Sequence, residues 1–184
     1  VARVLYSATM SADGFIAGPG GDMSWLSRFL GGGDKAAAEL PGLTGSILVG
    51  RRTFAGDDPV DGEWGQGEPF GGGWEGEQFV VTHDPPATAS PGIHFHTDLA
   101  EALAAAEAAA GDKYVNVLGA EVARGCLELG ELDEVLAVVA PILLGDGVRL
   151  FDHPGGAEVL LERTRVDVEP TATWLWFDVA GSGD

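Results

Sequence analysis

Residues 114–130 read YVNVLGAEVARGCLELG. Val115 to Leu118 is a short, β-branched, apolar run of the kind that forms a buried strand. Gly119 follows at once, and Val122, Cys126 and Leu129 then recur at helical spacing. The stretch therefore predicts a strand that turns through one glycine straight into a helix. Such a turn aims the first unpaired N–H groups of the helix out of the sheet edge. Those groups and the helix dipole together attract an anion.

Further strands and helices extend outward from this unit. Ser46 to Val49 predicts a second strand with the same ending, Gly50 followed by Arg51, Arg52, Thr53 and Phe54. Val4–Met10, Phe79–Thr82, Ile93–Phe95 and Glu134–Ala140 read as further strands. Asp98 to Ala110 is the clearest helix, capped by Thr97 or Asp98 and closed by Gly111. Ser24 is expected to cap a short helix carrying Trp25, Leu26 and Phe29, and Lys35 to Leu40 to form another turn ended by Pro41 and Gly42. Glu158–Val168 and Thr173–Val179 alternate and predict a closing antiparallel hairpin. Strands and helices alternate through the middle. The expectation is one α/β domain over 1–184, with a mostly parallel sheet made mixed by its C-terminal hairpin.

Composition narrows the function. The net charge of −19 argues against nucleic acid or an anionic membrane surface as a partner. No apolar run reaches membrane-spanning length, and no basic leader precedes the first strand. A single cysteine excludes an internal disulfide and suits a reducing compartment, so a cytoplasmic protein is expected. Cys126 lies on the apolar side of its helix and predicts a buried, inert thiol.

Ligands of parallel sheets sit beyond the carboxyl ends of the strands. The turns at Gly50 and Gly119 should therefore share one rim, with Thr82 beside them. Arg51 and Arg52 stand at a helix start, where cations are disfavoured unless an anion is present. Two helix ends and two arginines suit a diphosphate or a ribose phosphate. The loop SADGFIAGPGGD at 11–22 is placed to cover such a ligand, with Asp13 and Asp22 as its ionisable groups and Trp25 as an aromatic wall. Asp13 followed by Gly14 also reads as an ordinary turn.

Other motifs carry less. Gly71, Gly73, Gly76 and again Gly31, Gly33, Ala36 match G-x-G-x-x-G/A, but neither set follows a strand and opens a helix. His83, His94, His96 and His153 lack metal-ligand spacing, although His94 and His96 share a strand face; no metal is expected. No nucleophile elbow or P-loop is present.

The stretches SADGFIAGPGGDMSWL (11–26), ILVGRRTF (47–54), VVTH (80–83) and VNVLGAEVARGCLELGELDEVLAVVAPILLGDGVRLF (115–151), with the final hairpin, resemble the dihydrofolate-reductase-like family that includes the reductase domain of riboflavin biosynthesis. The resemblance spans nearly the whole chain. It implies a three-layer α/β fold with an eight-stranded, mostly parallel sheet and one antiparallel C-terminal strand. It also implies an NADPH-dependent reductase, of the 5-amino-6-(5-phosphoribosylamino)uracil reductase or dihydrofolate reductase type, acting as a homodimer on a small heterocycle.

By position, the resemblance gives Gly50, Arg51, Arg52 and Thr53 to phosphate and to the 2′-phosphate side of NADPH. Thr82 and His83 would flank the adenosine end, and Gly119, Ala120, Glu121 and Val122 would receive the diphosphate. Ala8, Ile16 and Ala17 would line the nicotinamide. Ser11, Asp13, Trp25 and Phe54 would face the substrate, with Asp13 supplying a proton or orienting the ring.

Two departures stand out. Ala120 replaces the second glycine often found in the family's strand–helix turn, and LSRFLGGG after Trp25 has no acid before Asp34, where dihydrofolate reductases carry a carboxylate. These departures favour the alternative of a non-catalytic protein that holds a nucleotide or another small molecule on the same fold. A third alternative is a partner-binding subunit that uses the aromatic, Gly-rich loop 61–76.

Overall fold

The structure, a computed structural model, describes residues 1–30, 32–54 and 69–181. In chain order the strands are β1 (Arg3–Ser11), β2 (Phe15–Ala17), β3 (Thr44–Gly50), β4 (Glu77–Val81), β5 (Ile93–His96), β6 (Tyr114–Leu118), β7 (Glu134–Ala140), β8 (Val148–Arg149), β9 (Leu161–Val168) and β10 (Thr173–Val179). The α-helices are α1 (Lys35–Leu43), α2 (Arg51–Phe54), α3 (Leu99–Ala110) and α4 (Ala120–Leu129).

Eight strands form one sheet in the order β5-β4-β3-β6-β1-β7-β10-β9. Every pairing from β5 through to β7 is parallel, and β10 is antiparallel to both β7 and β9. One strand, β10, thus runs against the rest, as the resemblance implies. β2 and β8 pair with each other outside this sheet.

The central strands are buried on both faces, as parallel strands flanked by helices must be. Val4, Tyr6, Leu48, Val115 and Val117 pack with Ala102, Leu103 and Ala106 of α3 and with Val122, Ala123 and Cys126 of α4. Leu5, Leu136, Val138, Trp174 and Trp176 on the other face pack with Ala36 and Leu40 of α1. Ile47, Val49 and Val80 form a third cluster with Phe54, Trp74, Phe95 and Leu118. Each such side chain removed from water contributes about 1.5–3 kcal/mol.

Small residues bring α3 close to the sheet. A Cβ on Gly45 would lie 2.4 Å from the Ala110 carbonyl oxygen. The buried Ser46 hydroxyl donates to the Ala106 carbonyl at 2.8 Å.

Several boundaries differ from the sequence expectation. α1 continues through Pro41 and Gly42 to Leu43. Pro41 removes only the bond to the carbonyl of exposed Ala37, while Leu40 is anchored in the core and the Thr44 hydroxyl donates to its carbonyl at 2.9 Å. Residues Ser24–Arg28 form a 3-10 helix, and Ser24 is its first residue rather than a side-chain cap. β4 stops at Val81, one residue before Thr82, and β9 begins only at Leu161. Asp98 caps α3, its carboxylate accepting from the Glu101 amide at 2.9 Å.

The Gly71 set precedes a strand instead of following one, and Gly31 lies outside the described residues. His94 and His96 do share a face, both lying against the Phe79 ring. Cys126 is fully buried, and burial pushes its thiol up to about 12.

Gly45→Ala should destabilise the fold by about 1–3 kcal/mol, because the added methyl meets helix backbone that cannot rotate away; urea unfolding measures this. The Cys126 thiol should resist a disulfide reagent in the native protein at neutral pH and react fully once urea unfolds the chain.

Candidate functional site

β1, β3, β4, β6 and β7 are parallel, so the segments that leave their carboxyl ends emerge along one edge of the sheet. Those segments are the first loop, the Arg51–Phe54 turn, the Thr82 turn, the start of α4 and the 141–147 turn.

β3 and β6 are neighbours, with Val49 paired to Leu118, and their turns touch. Gly119 has φ +96°, and a Cβ there would lie 2.6 Å from the Thr53 hydroxyl. A Cβ on Gly50 would lie 3.1 Å from Val122. Glycine is required at 119 for both backbone and space.

α4 opens at Ala120 with no side-chain cap on its first amides. Arg52 reaches across to Glu121 in that first turn at 3.2 Å, and Arg51 lies 3.9 Å from Asp84. The Arg52 and Glu121 side chains are 87% and 67% exposed, so the pair is worth little and yields readily to a competing anion. Val122 is buried against the core, while Glu121 faces solvent. Thr82 is buried, its amide donating to the His96 carbonyl at 2.9 Å and its hydroxyl accepting from the Asp84 amide at 3.2 Å. His83 beside it is exposed.

The first loop is joined to residues 141–150. The Ala12 amide donates to Ile142 at 2.8 Å and the Leu150 amide to Gly14 at 2.9 Å. Phe15 pairs with Arg149 and Ala17 with Val148, and the Arg149 guanidinium lies over the Phe15 ring at 4.9 Å. Asp13 closes the joint: Oδ1 accepts from the Leu144 amide at 3.0 Å and Oδ2 from the Gly145 amide at 2.7 Å. These bonds, led by one from Ser11, lower the Asp13 carboxyl to about 2.

The carboxylate is ionised at neutral pH, and both of its oxygens are engaged by backbone amides. Ser11, expected to face substrate, is fully buried with its oxygen accepting from the Phe15 amide at 3.0 Å. Phe54 lies edge-on to Phe95 in the third apolar cluster. Ala8 packs toward the α4 face, Ala17 is buried and Ile16 is partly exposed.

Trp25 is buried, lies edge-on to Phe29, and has no partner for its Nε1. Asp22 accepts from the Ser24 amide at 2.9 Å, which lowers its carboxyl below the usual range. Asp34 is buried and accepts from the Thr171 amide and hydroxyl and from the Trp174 indole, tying the start of α1 to the β9–β10 turn. Trp74 of the Gly-rich loop donates to the Thr44 carbonyl at 3.1 Å, so this end of the loop is folded onto β3; residues 61–68 lie outside the described residues.

The sequence singled out neither the buried Asn116 nor its partner Ser7. Asn116 sits between Leu5 and Ile47 in the sheet and accepts the Ser7 hydroxyl at 2.6 Å, with Nδ2 left unpartnered. A lone amide inside an apolar strand was the available signal. Clefts of about 300 and about 280 Å³ lie at the opposite end of the sheet, lined among others by Leu132 and Val179 and by Arg3, Tyr114 and Glu134. The second holds a network in which Tyr114 donates to Glu134 at 2.8 Å and Arg3 bridges Glu134 and Asp178. Burial raises the Glu134 carboxyl.

A mostly parallel sheet thus carries on one rim an uncapped helix start, two arginines and a pinned first loop. Residues 2–173 match the family of RibD C-terminal domains, and the chain belongs to that family. "Uncharacterized protein YwjB" of Bacillus subtilis (strain 168) is 27% identical over 149 residues, covering 80% of this chain and 81% of that protein.

Among solved structures, the "Putative riboflavin biosynthesis protein" from Shewanella sp. PV-4 superposes with a TM-score of 0.76 at 21% identity, over 96% of this chain and 98% of the other. The Rib7 riboflavin biosynthesis reductase of Saccharomyces cerevisiae gives 0.61 at 16% identity, over 98% and 90%. The deaminase/5-amino-6-(5-phosphoribosylamino)uracil reductase of Thermotoga maritima gives 0.64 at 14% identity, and the chain spans 57% of its length. The fold is that of these reductases, a dihydrofolate-reductase-like α/β fold.

The folded Asp13 carboxyl titrates below its ordinary value of 3.8, so its stabilisation is complete above that pH and is lost as pH falls toward about 2. The stability gap between wild type and Asp13→Asn should therefore be widest near neutral pH and shrink between about pH 4 and about pH 2. Urea midpoints across that range read it out.

Proposed function

We propose that the protein is an NADPH-dependent reductase of the riboflavin-biosynthesis type, reducing a C=N or C=O group in a pterin-like or other small heterocyclic substrate. The observation that carries this reading is the contact between the Arg51–Phe54 turn and the Gly119 turn. It sets an uncapped helix start and two arginines on one rim. This arrangement fits a dinucleotide with an extra phosphate.

The α4 amides would receive the diphosphate, Arg51 and Arg52 the 2′-phosphate, and Thr53, Thr82 and His83 the adenosine end. Exchange of the exposed Arg52–Glu121 pair for a phosphate frees the arginine at little cost. Ile16 and Ala17 would bound the nicotinamide, and Trp25 would wall the substrate side. The chemistry that such a cofactor supplies is hydride donation, and the protein's part is to orient the two rings and exclude water. A homodimer in the cytoplasm belongs to the same proposal. Exposed Leu160, Leu161, Val166 and Val168, on and beside edge strand β9, support an interface there. Among the described residues no helix is long and apolar enough to cross a membrane.

A non-catalytic protein that holds a nucleotide or another small molecule on the same fold is the second reading. The engagement of Asp13, Asp22 and Asp34 in internal hydrogen bonds favours it, because none of these carboxylates is left to hold a proton for a substrate.

Titration with NADPH and with NADH, followed by tryptophan fluorescence, tests the cofactor. NADPH should bind saturably and tighter than NADH. Arg52→Ala should weaken NADPH by about tenfold and leave NADH unchanged, the effect of losing one charge-assisted phosphate contact. Absence of NADPH binding at millimolar concentration would sink the reductase reading. Binding without turnover across a panel of reducible heterocycles would favour the second.

A further inference from the structure

We infer that Asp13 is a positioning residue of this rim: by binding the Leu144 and Gly145 amides it locks the 141–147 turn to the first loop and so fixes Ile16 and Ala17. This inference rests on the cofactor reading above for what Ile16 and Ala17 touch. The lock itself stands on geometry alone.

Four features converge on it. First, Asp13 makes two side-chain hydrogen bonds across the joint, to residues 131 and 132 positions away in sequence. Second, the remaining links are backbone bonds, the exposed Arg149 guanidinium over the Phe15 ring, and one short strand pair, β2 with β8, whose register is irregular between Phe15 and Ala17. A two-stranded pair of that length is not stable by itself. Third, Gly147 is pressed against the first loop so closely that a Cβ there would lie 2.0 Å from the Ala17 carbonyl oxygen. Movement of the turn therefore moves Ala17. Fourth, Leu143, which precedes the pinned Leu144, is 74% exposed, so apolar burial of that side chain does not hold the turn in place.

The carboxylate is suited to this task. It presents two acceptors to two adjacent N–H donors, and hydrogen bonds to an ionised acceptor are about twice as strong as neutral ones. Asparagine has the same shape but only one acceptor, so its amide nitrogen would face a backbone N–H. The first loop then loses its anchor, and misplacement of a ligand wall by about 1 Å is enough to weaken binding severely.

The test compares wild type, Asp13→Asn, Asp13→Glu and a remote core control, Leu103→Ala, which trims a buried side chain of α3. Amide hydrogen exchange over 141–150 is measured without ligand, NADPH affinity by tryptophan fluorescence, and melting temperature by circular dichroism. Asp13→Asn should exchange the Leu144 and Gly145 amides at least about tenfold faster and bind NADPH about tenfold more weakly. Asp13→Glu, which keeps the charge, should recover part of both. Leu103→Ala should lower the melting temperature and change neither. Wild-type protection of 141–150 in Asp13→Asn would overturn the lock. Fast exchange with unchanged NADPH affinity would overturn the positioning role. A wild type that takes up no NADPH refutes the cofactor reading and the positioning role with it, and the exchange measurement then still decides whether Asp13 holds the two loops together.

Discussion

β1 pairs in parallel with β6 on one side and β7 on the other, and parallel pairing cannot be closed by a short turn. Each of these strands must send the chain back through a crossover to the far end of the sheet. The segments after β1, β3, β4, β6 and β7 consequently leave from one edge. The cost is that the central strands are covered on both faces, which is why Leu5, Leu48, Val117 and Leu136 are fully buried. The benefit is a rim where residues far apart in the chain meet. Thr53 against Gly119 and Asp13 against Gly145 are both products of that geometry.

Electrostatics on this rim work against the background of an acidic chain. With a net charge of −19, an anion is repelled from most of the surface. The local exception that the proposed cofactor requires would be built from backbone as much as from side chains. The amides at the start of α4 carry no side-chain cap, and Arg51 and Arg52 sit across from them. Their present acidic partners, Asp84 and Glu121, are exposed, and such pairs hold weakly. At the other end of the sheet the balance differs: Arg3, Glu134, Asp178 and Tyr114 form a partly buried network that ties β1, β6, β7 and β10 together.

Much of this architecture was legible in the residues. The strand–glycine–helix reading of 114–130 holds, because a β-branched run and a helical repeat are local signals that packing here reinforces. The C-terminal hairpin, the Asp98 cap and the buried Cys126 were equally local. Pro41 misled because a proline's helix-breaking effect depends on which carbonyl loses its partner, and here that carbonyl belongs to exposed Ala37. Asp13 read as a turn residue or a reactive acid, since its two partners lie more than a hundred residues away. Asn116 went unnoticed for a related reason: its partner, Ser7, belongs to a different strand.

By itself the sequence determined the order and kind of elements, the sheet's mostly parallel character and the presence of two strand–turn–helix units with basic and glycine residues at their starts. Periodicity, glycine placement and charge are properties of neighbouring residues, so they need no three-dimensional partner to be read. Only the tertiary structure decided how each polar side chain is used. Ser11 is consumed inside its own loop, Asp34 is spent on Thr171 and Trp174, and Asp13 is held by two distant amides. The reason is physical: a carboxylate's role is set by which donors surround it, and in this fold those donors come from strands and turns that only the crossovers bring together.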